Sequence, residues 1–157
     1  MKLLQVEAGT YIFHLPRWER GLLLSTVRHY PLVPEGYHKL SREAPPPDEE
    51  ESQALLQESI AEHRRDARRQ LDLLLANQHR FVPEQNGFRL TLDRAQIEWL
   101  LQVLNDVRVG AWIKVGCPDP DQGKAPEVKD EDRRYLAMMD LCSYFQCAML
   151  NALEDQP

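Results

Sequence analysis

The sequence predicts an α+β fold, mainly α, in which four helices, one of them long, pack with a small sheet of about three short strands. Three observations predict it. Apolar residues recur at intervals of three or four through residues 48–78, the period of one helix face. Short apolar segments, Leu3 to Leu15 and Phe88 to Leu92, are joined or preceded by glycine-containing turns, the pattern of strands. Capping residues and prolines stand where helices should begin and end.

Taken in order, Leu3, Leu4 and Val6 and then Tyr11, Ile12, Phe13 and Leu15 form a hairpin around Ala8-Gly9-Thr10. Such a hairpin needs cover from other elements to be stable. Pro16 suits the first turn of a helix, because its φ is fixed and it has no N–H to satisfy. That helix presents Leu22, Leu23, Val27 and Tyr30 and should end before Pro31. Residues 31–47, rich in Pro, Gly and charge, read as an exposed connector.

Asp48 and Glu51 fit the D-x-x-E capping arrangement, and the acidic run Asp48 to Glu51 complements the positive end of a helix dipole. Leu56, Ile60, His63, Ala67, Leu71 and Leu74 then mark one stripe of a long helix, roughly 45 Å at 1.5 Å per residue. Phe88, Leu90 and Leu92 alternate with Arg89 and Thr91 as a third strand. Asp93 with Gln96 can cap the next helix, with Thr91 a rival start, and the helix runs to about Val115 and stops at Gly116-Cys117-Pro118. Residues 116–129 are a polar loop, and Asp130 can cap a last helix reaching about Leu153, with Tyr135, Met139, Cys142, Met149 and Leu153 on one face.

The 157 residues, 43% hydrophobic and 28% charged, are the make-up of one soluble globular domain spanning 1–157. A formal charge of -6 argues against nucleic acid or an anionic membrane as partner, because neutralising phosphates requires a basic surface. No stretch approaches the roughly 20 apolar residues of a membrane span. Cys142 and Cys147 fall within an apolar helical pattern and read as small buried hydrophobes, which fits a reducing cytoplasm.

Two long polar side chains interrupt the apolar faces. At about 100° per residue, Ile97, Leu100, Leu101, Leu104, Val107 and Ala111 gather on one side of the third helix, with Glu98, Gln102 and Asp106 roughly opposite. Asn105 lies at the margin, and Arg108 projects into the middle of the apolar side. On the last helix Gln146 points between Tyr135 and Met139 in the same way. A buried guanidinium keeps its charge and must be met by oxygen acceptors. The expectation is a buried polar network of Asn105, Arg108 and Gln146, in which Arg108 donates to Gln146 or to backbone carbonyls as the two helices pack.

Sequence-local chemistry is largely absent. The histidines (His14, His29, His38, His63, His79) form neither H-E-x-x-H nor a Cys/His metal spacing, and His63 reads as a core or boundary residue. Gly116 to Lys124 has the wrong spacing for a phosphate loop, and Asp119-Pro-Asp121-Gln-Gly123 lacks the ligand positions of a calcium loop. No G-x-S-x-G elbow occurs. No catalytic residue, metal or cofactor is expected from these patterns. The charge feature with a direction is Arg64, Arg65, Arg68 and Arg69 on the long helix, two like-charged i,i+4 pairs that each cost a few tenths of a kcal/mol unless relieved. Glu62 and Asp66 relieve part of this, and the arginines form a solvated flank or a docking surface for an acidic partner segment, including the acidic run of a second copy or of the same chain.

Leu90, Thr91, Trp99, Leu100, Leu104, Asn105, Asp106, Arg108, Lys114 and Gly116 together resemble the signature of the bacterial domain-of-unknown-function family twenty-seventeen. Gly110-Ala111-Trp112-Ile113 departs from the small-residue run of that family. The resemblance implies no activity or site residues. It implies a setting, since genes of the family often lie beside that of the Clp adaptor ClpS and near a JAMM-type metallopeptidase, which points to protein turnover. The expected function is a non-enzymatic cytoplasmic protein-interaction module, self-association as a homodimer included. The alternative is a small hydrolase or ligand-binding enzyme with a pocket near Arg108.

Overall fold

The computed structural model describes residues 1–37, 49–76, 80–117 and 129–154. Its elements are β1 (Lys2–Glu7), β2 (Thr10–Pro16), α1 (Arg17–Val27), α2 (Glu49–Ala76), β3 (Phe81–Glu84), β4 (Gly87–Asp93), α3 (Arg94–Lys114) and α4 (Arg133–Glu154). The class is α+β and mainly α, as the sequence predicts. The described strands number four rather than about three, in the order β1-β2-β4-β3 with every neighbouring pair antiparallel. The additional strand, β3, carries Pro83. Proline cannot donate to a ladder and is tolerated on an edge, where β3 lies.

Alternation decides which sheet face is covered. Leu3, Phe13, Leu90 and Phe81 are aligned across the four strands, and Val6, Tyr11 and Leu92 form the next row. Phe13, Leu90, Phe81, Tyr11 and Leu92 are buried. A bulge between Leu3 and Gln5 lets both Leu3 and Val6 keep to the core side and leaves Leu4 exposed. On the opposite face Glu84 lies 3.5 Å from His14 Nδ1 and 3.7 Å from Arg89 Nε, a solvated polar cluster.

The helices α1, α3 and α4 close the covered face. The start of α3 is the capping box read from the sequence: the Gln96 amide donates to Asp93 Oδ1 at 2.8 Å, and the Asp93 amide donates to Gln96 Oε1 at 3.1 Å. Its buried face is Ile97, Leu100, Val103, Leu104, Val107, Gly110 and Ala111. The facing side of α4 is Met138, Cys142, Phe145, Met149 and Ala152. Tyr135, Met139 and Leu153, expected on that face with Cys142 and Met149, lie half-buried at its edge. Cys147, expected to be buried, is exposed, because Phe145 rather than its neighbours fills the inward position.

Expectations at element ends fared unevenly. Helix α1 begins directly after Pro16. Helix α4 begins at Arg133, not after Asp130, whose carboxylate instead pairs with Arg133 Nε at 3.1 Å. The expected caps and loop features at Asp48, His38, His79 and residues 118–128 lie outside the described residues. Within the expected connector, Val33 is buried and Leu32 half-buried, so the segment that follows α1 is docked rather than free. Among the described residues no helix is long and apolar enough to cross a membrane.

Candidate protein-binding site

Helix α2 joins this core through Ala67 and Leu71, with Leu74 and Leu75 packed against it. Its 28 residues extend about 42 Å. Of its described side chains only Ala67 and Leu71 are buried, with Leu56, Ile60, Leu74 and Leu75 half-buried. His63 is exposed, contrary to its placement on the apolar stripe, and its Nε2 lies 3.2 Å from Gln102 Oε1 on α3. A helix of this length makes most of its stability from packing one face, and here that face is narrow.

Polar contacts supplement the apolar ones. The residues after α1, Tyr30 to Val33, form a strap trapped between α2 and α3. Asp106 Oδ1 accepts from the Leu32 amide at 2.6 Å and from the Val33 amide at 3.2 Å. Arg64 donates to the Val33 carbonyl at 3.0 Å and approaches Asp106 Oδ2 at 3.6 Å. Arg68 donates to the Tyr30 carbonyl. Gly110 completes the seat, since a Cβ there would stand 2.5 Å from the Leu32 carbonyl carbon. Burial, then the Asp106 charge, push the Tyr30 phenol above its usual range, with Arg64 opposing. The strap's polar backbone is thereby satisfied by side chains from two helices.

This arrangement divides the expected arginine surface. Arg64 turns inward to hold the strap, and Arg68, exposed and also paired with Asp72 at 3.4 Å, reaches the strap from the flank. Arg65 and Arg69 are exposed on the opposite side, together with Glu58, Glu62, Leu55 and Leu73. Leu55 is 61% exposed and Leu73 is 65% exposed, at the two ends of that outward face. The pairs Leu55-Leu56 and Leu73-Leu74 were the available signal, because two adjacent leucines cannot both lie on one narrow stripe.

The expected buried network of Asn105, Arg108 and Gln146 is not formed. Arg108 is exposed and donates to Asn105 Oδ1 at 3.1 Å, and Asn105 is itself exposed. Gln146 is half-buried and donates to the Leu101 carbonyl at 3.3 Å, linking α4 to α3 without Arg108. The reason is rotational. Including Val103 and Gly110 moves the middle of the α3 face by roughly 40° and leaves Arg108 roughly 85° from it. Asp106, assigned to the solvent side, is the residue of the three-residue Asn105-Asp106…Arg108 group that works, because the strap covers its flank.

Chemical possibilities are limited by these engagements. A cleft of about 300 Å³ lies between α2 and α3 at Tyr30, Ser59, His63, Arg64, Gln102 and Asp106. A second, open hollow of about 500 Å³ reaches Asn105 and Gln146, but Arg108 is not part of its lining. In the first, Asp106 is committed to two amides and a guanidinium, and His63 faces Gln102 rather than Ser59. Among the described residues no group of three or more His, Cys, Asp or Glu side chains could hold a metal ion. Elsewhere, the buried Glu19 carboxylate accepts from the Met1 ammonium and, at 2.7 Å, from the Tyr144 hydroxyl. These contacts tie the start of β1 and helix α4 to α1.

No protein-family model, no curated protein and no solved structure matches the chain.

Proposed function

We propose that the protein is a non-enzymatic protein-interaction module whose contact surface is the outward face of α2. The observation that carries this reading is the composition of that face: exposed Leu55 and Leu73 flank the exposed charged residues Glu58, Glu62, Arg65 and Arg69. Apolar anchors with charged groups between them give a partner both contact area and orientation. The strap contacts support the reading from the other side, since Arg64 and Arg68 hold the helix through Val33 and Tyr30 while leaving that face open. Three free thiols, Cys117, Cys142 and Cys147, suit a reducing cytoplasm. The family resemblance supports protein turnover as the setting.

Affinity capture from the native cell tests the reading. Proteins captured by the wild-type chain are expected to be lost with Arg65→Glu/Arg69→Glu and retained with Arg108→Glu. Capture of the same proteins by all three chains would refute it.

A further inference from the structure

The outward face of α2 carries its own complement. Leu55, Glu58, Glu62, Arg65, Arg69 and Leu73 fall within an arc of roughly 80° at about 100° per residue. All six are exposed. Within this arc the acidic residues precede the basic ones, while Asp66 and Asp72, exposed at its two margins, flank the basic half. Glu58 with Glu62, and Arg65 with Arg69, are like-charged i,i+4 pairs that destabilise the helix by themselves. Among the described residues, none of these four side chains enters an ion pair.

We infer that this face binds a second copy of the same chain, α2 against α2 in antiparallel orientation about a two-fold axis. The inference rests on the interaction reading above and names its partner. In this register Glu58 faces Arg69 of the second copy and Glu62 faces Arg65, and the symmetry repeats both pairs. Leu55 then comes within one residue of facing Leu73 at each end, about 27 Å apart along the helix at 1.5 Å per residue. Parallel pairing would instead set acid against acid and base against base, which penalises that orientation. One helix width over this length falls short of a standard interface of about 800 Å² per partner. The dimer is therefore weak, concentration-dependent and weakened by salt.

Sedimentation velocity on the full chain, from a few micromolar to a few hundred micromolar, provides the test, with circular dichroism as the check that each variant is folded. The wild type is expected to dimerise at about 0.05 M salt and to dissociate more readily at about 0.5 M salt. Glu58→Arg/Glu62→Arg and Arg65→Glu/Arg69→Glu are each expected to self-associate about tenfold or more weakly than the wild type. Mixed in equal amounts, these two variants are expected to form a heterodimer at least as readily as the wild type forms its dimer. A wild type that stays monomeric at low salt, variants that self-associate as well as the wild type, or a mixture that does not associate would each overturn the inference. If the wild type is monomeric but loses a captured protein on Arg65→Glu/Arg69→Glu, the face stands and only its occupant is wrong. If the dimer behaves as expected but capture is unchanged by reversal, the partner-binding role fails and the self-association remains.

Discussion

Asp106 is the polar residue that joins the strap to α2, because its carboxylate serves the strap amides and the Arg64 guanidinium together. Removing a charged acceptor from two partly buried amides costs about 2 kcal/mol, so Asp106→Ala is expected to lose that much in urea unfolding. Arg108→Ala is expected to change stability by no more than about 0.5 kcal/mol, since its partner and its own guanidinium are exposed. The reverse ranking would restore Arg108 to the core. The sequence showed that this Asn-Asp-x-Arg group was unusual, but not which member works. That depended on which flank of α3 the strap covers, and the strap follows a different element. Cys142 is a second residue with a measurable signature: burial pushes its thiol up to about 12, against an opposing contribution from Arg108. The folded state thus holds the proton more tightly than the unfolded chain, so this contribution is present below about pH 9 and is lost as pH rises toward about 12. The stability advantage of the wild type over Cys142→Ala is expected to shrink between about pH 8 and about pH 10. A constant difference across that interval would contradict the buried thiol.

At the scale of elements, the legible features were those encoded by neighbours in the chain. The capping box of α3 needs only Asp93 and Gln96, and the first hairpin needs only alternation around Gly9, so both could be read directly. Helix orientation needs the partner surface as well. The apolar sectors of α3 and α4 are broad enough that their centres were misplaced by roughly 40° and roughly 55°, counted at about 100° per residue. That rotation turns Arg108 out to solvent and Gln146 to the edge of the α3–α4 contact. Strand β3 was missed because four residues with a central proline give no alternation, and its place is fixed by pairing with β4. For α2 the stripe was correct in period but extended too far, since only Ala67 and Leu71 among its described side chains are buried. Leu71→Ala is therefore expected to cost about 2 to 4 kcal/mol. Leu73→Ala, two residues away on the outward face, is expected to cost less than about 0.5 kcal/mol. Equal losses at the two positions, measured by denaturant unfolding, would mean that α2 is packed on both sides.

At the scale of the molecule, the chain combines a core of sheet, α1, α3 and α4 with a long helix that enters that core only through its Ala67–Leu75 end. The four arginines of that helix divide the labour: two fix the strap, and two face outward beside exposed glutamates and leucines. A net charge of -6 argues against nucleic acid as a partner, and the proposed occupant of the outward face is a protein. The most direct measurement is site-specific photo-crosslinking in the native cell, with a photoreactive side chain placed in turn at Leu55, Leu73 and Arg108. The account expects protein adducts from Leu55 and Leu73, whether with a second copy or another chain, and none from Arg108. Adducts from Arg108 with none from either leucine would contradict it.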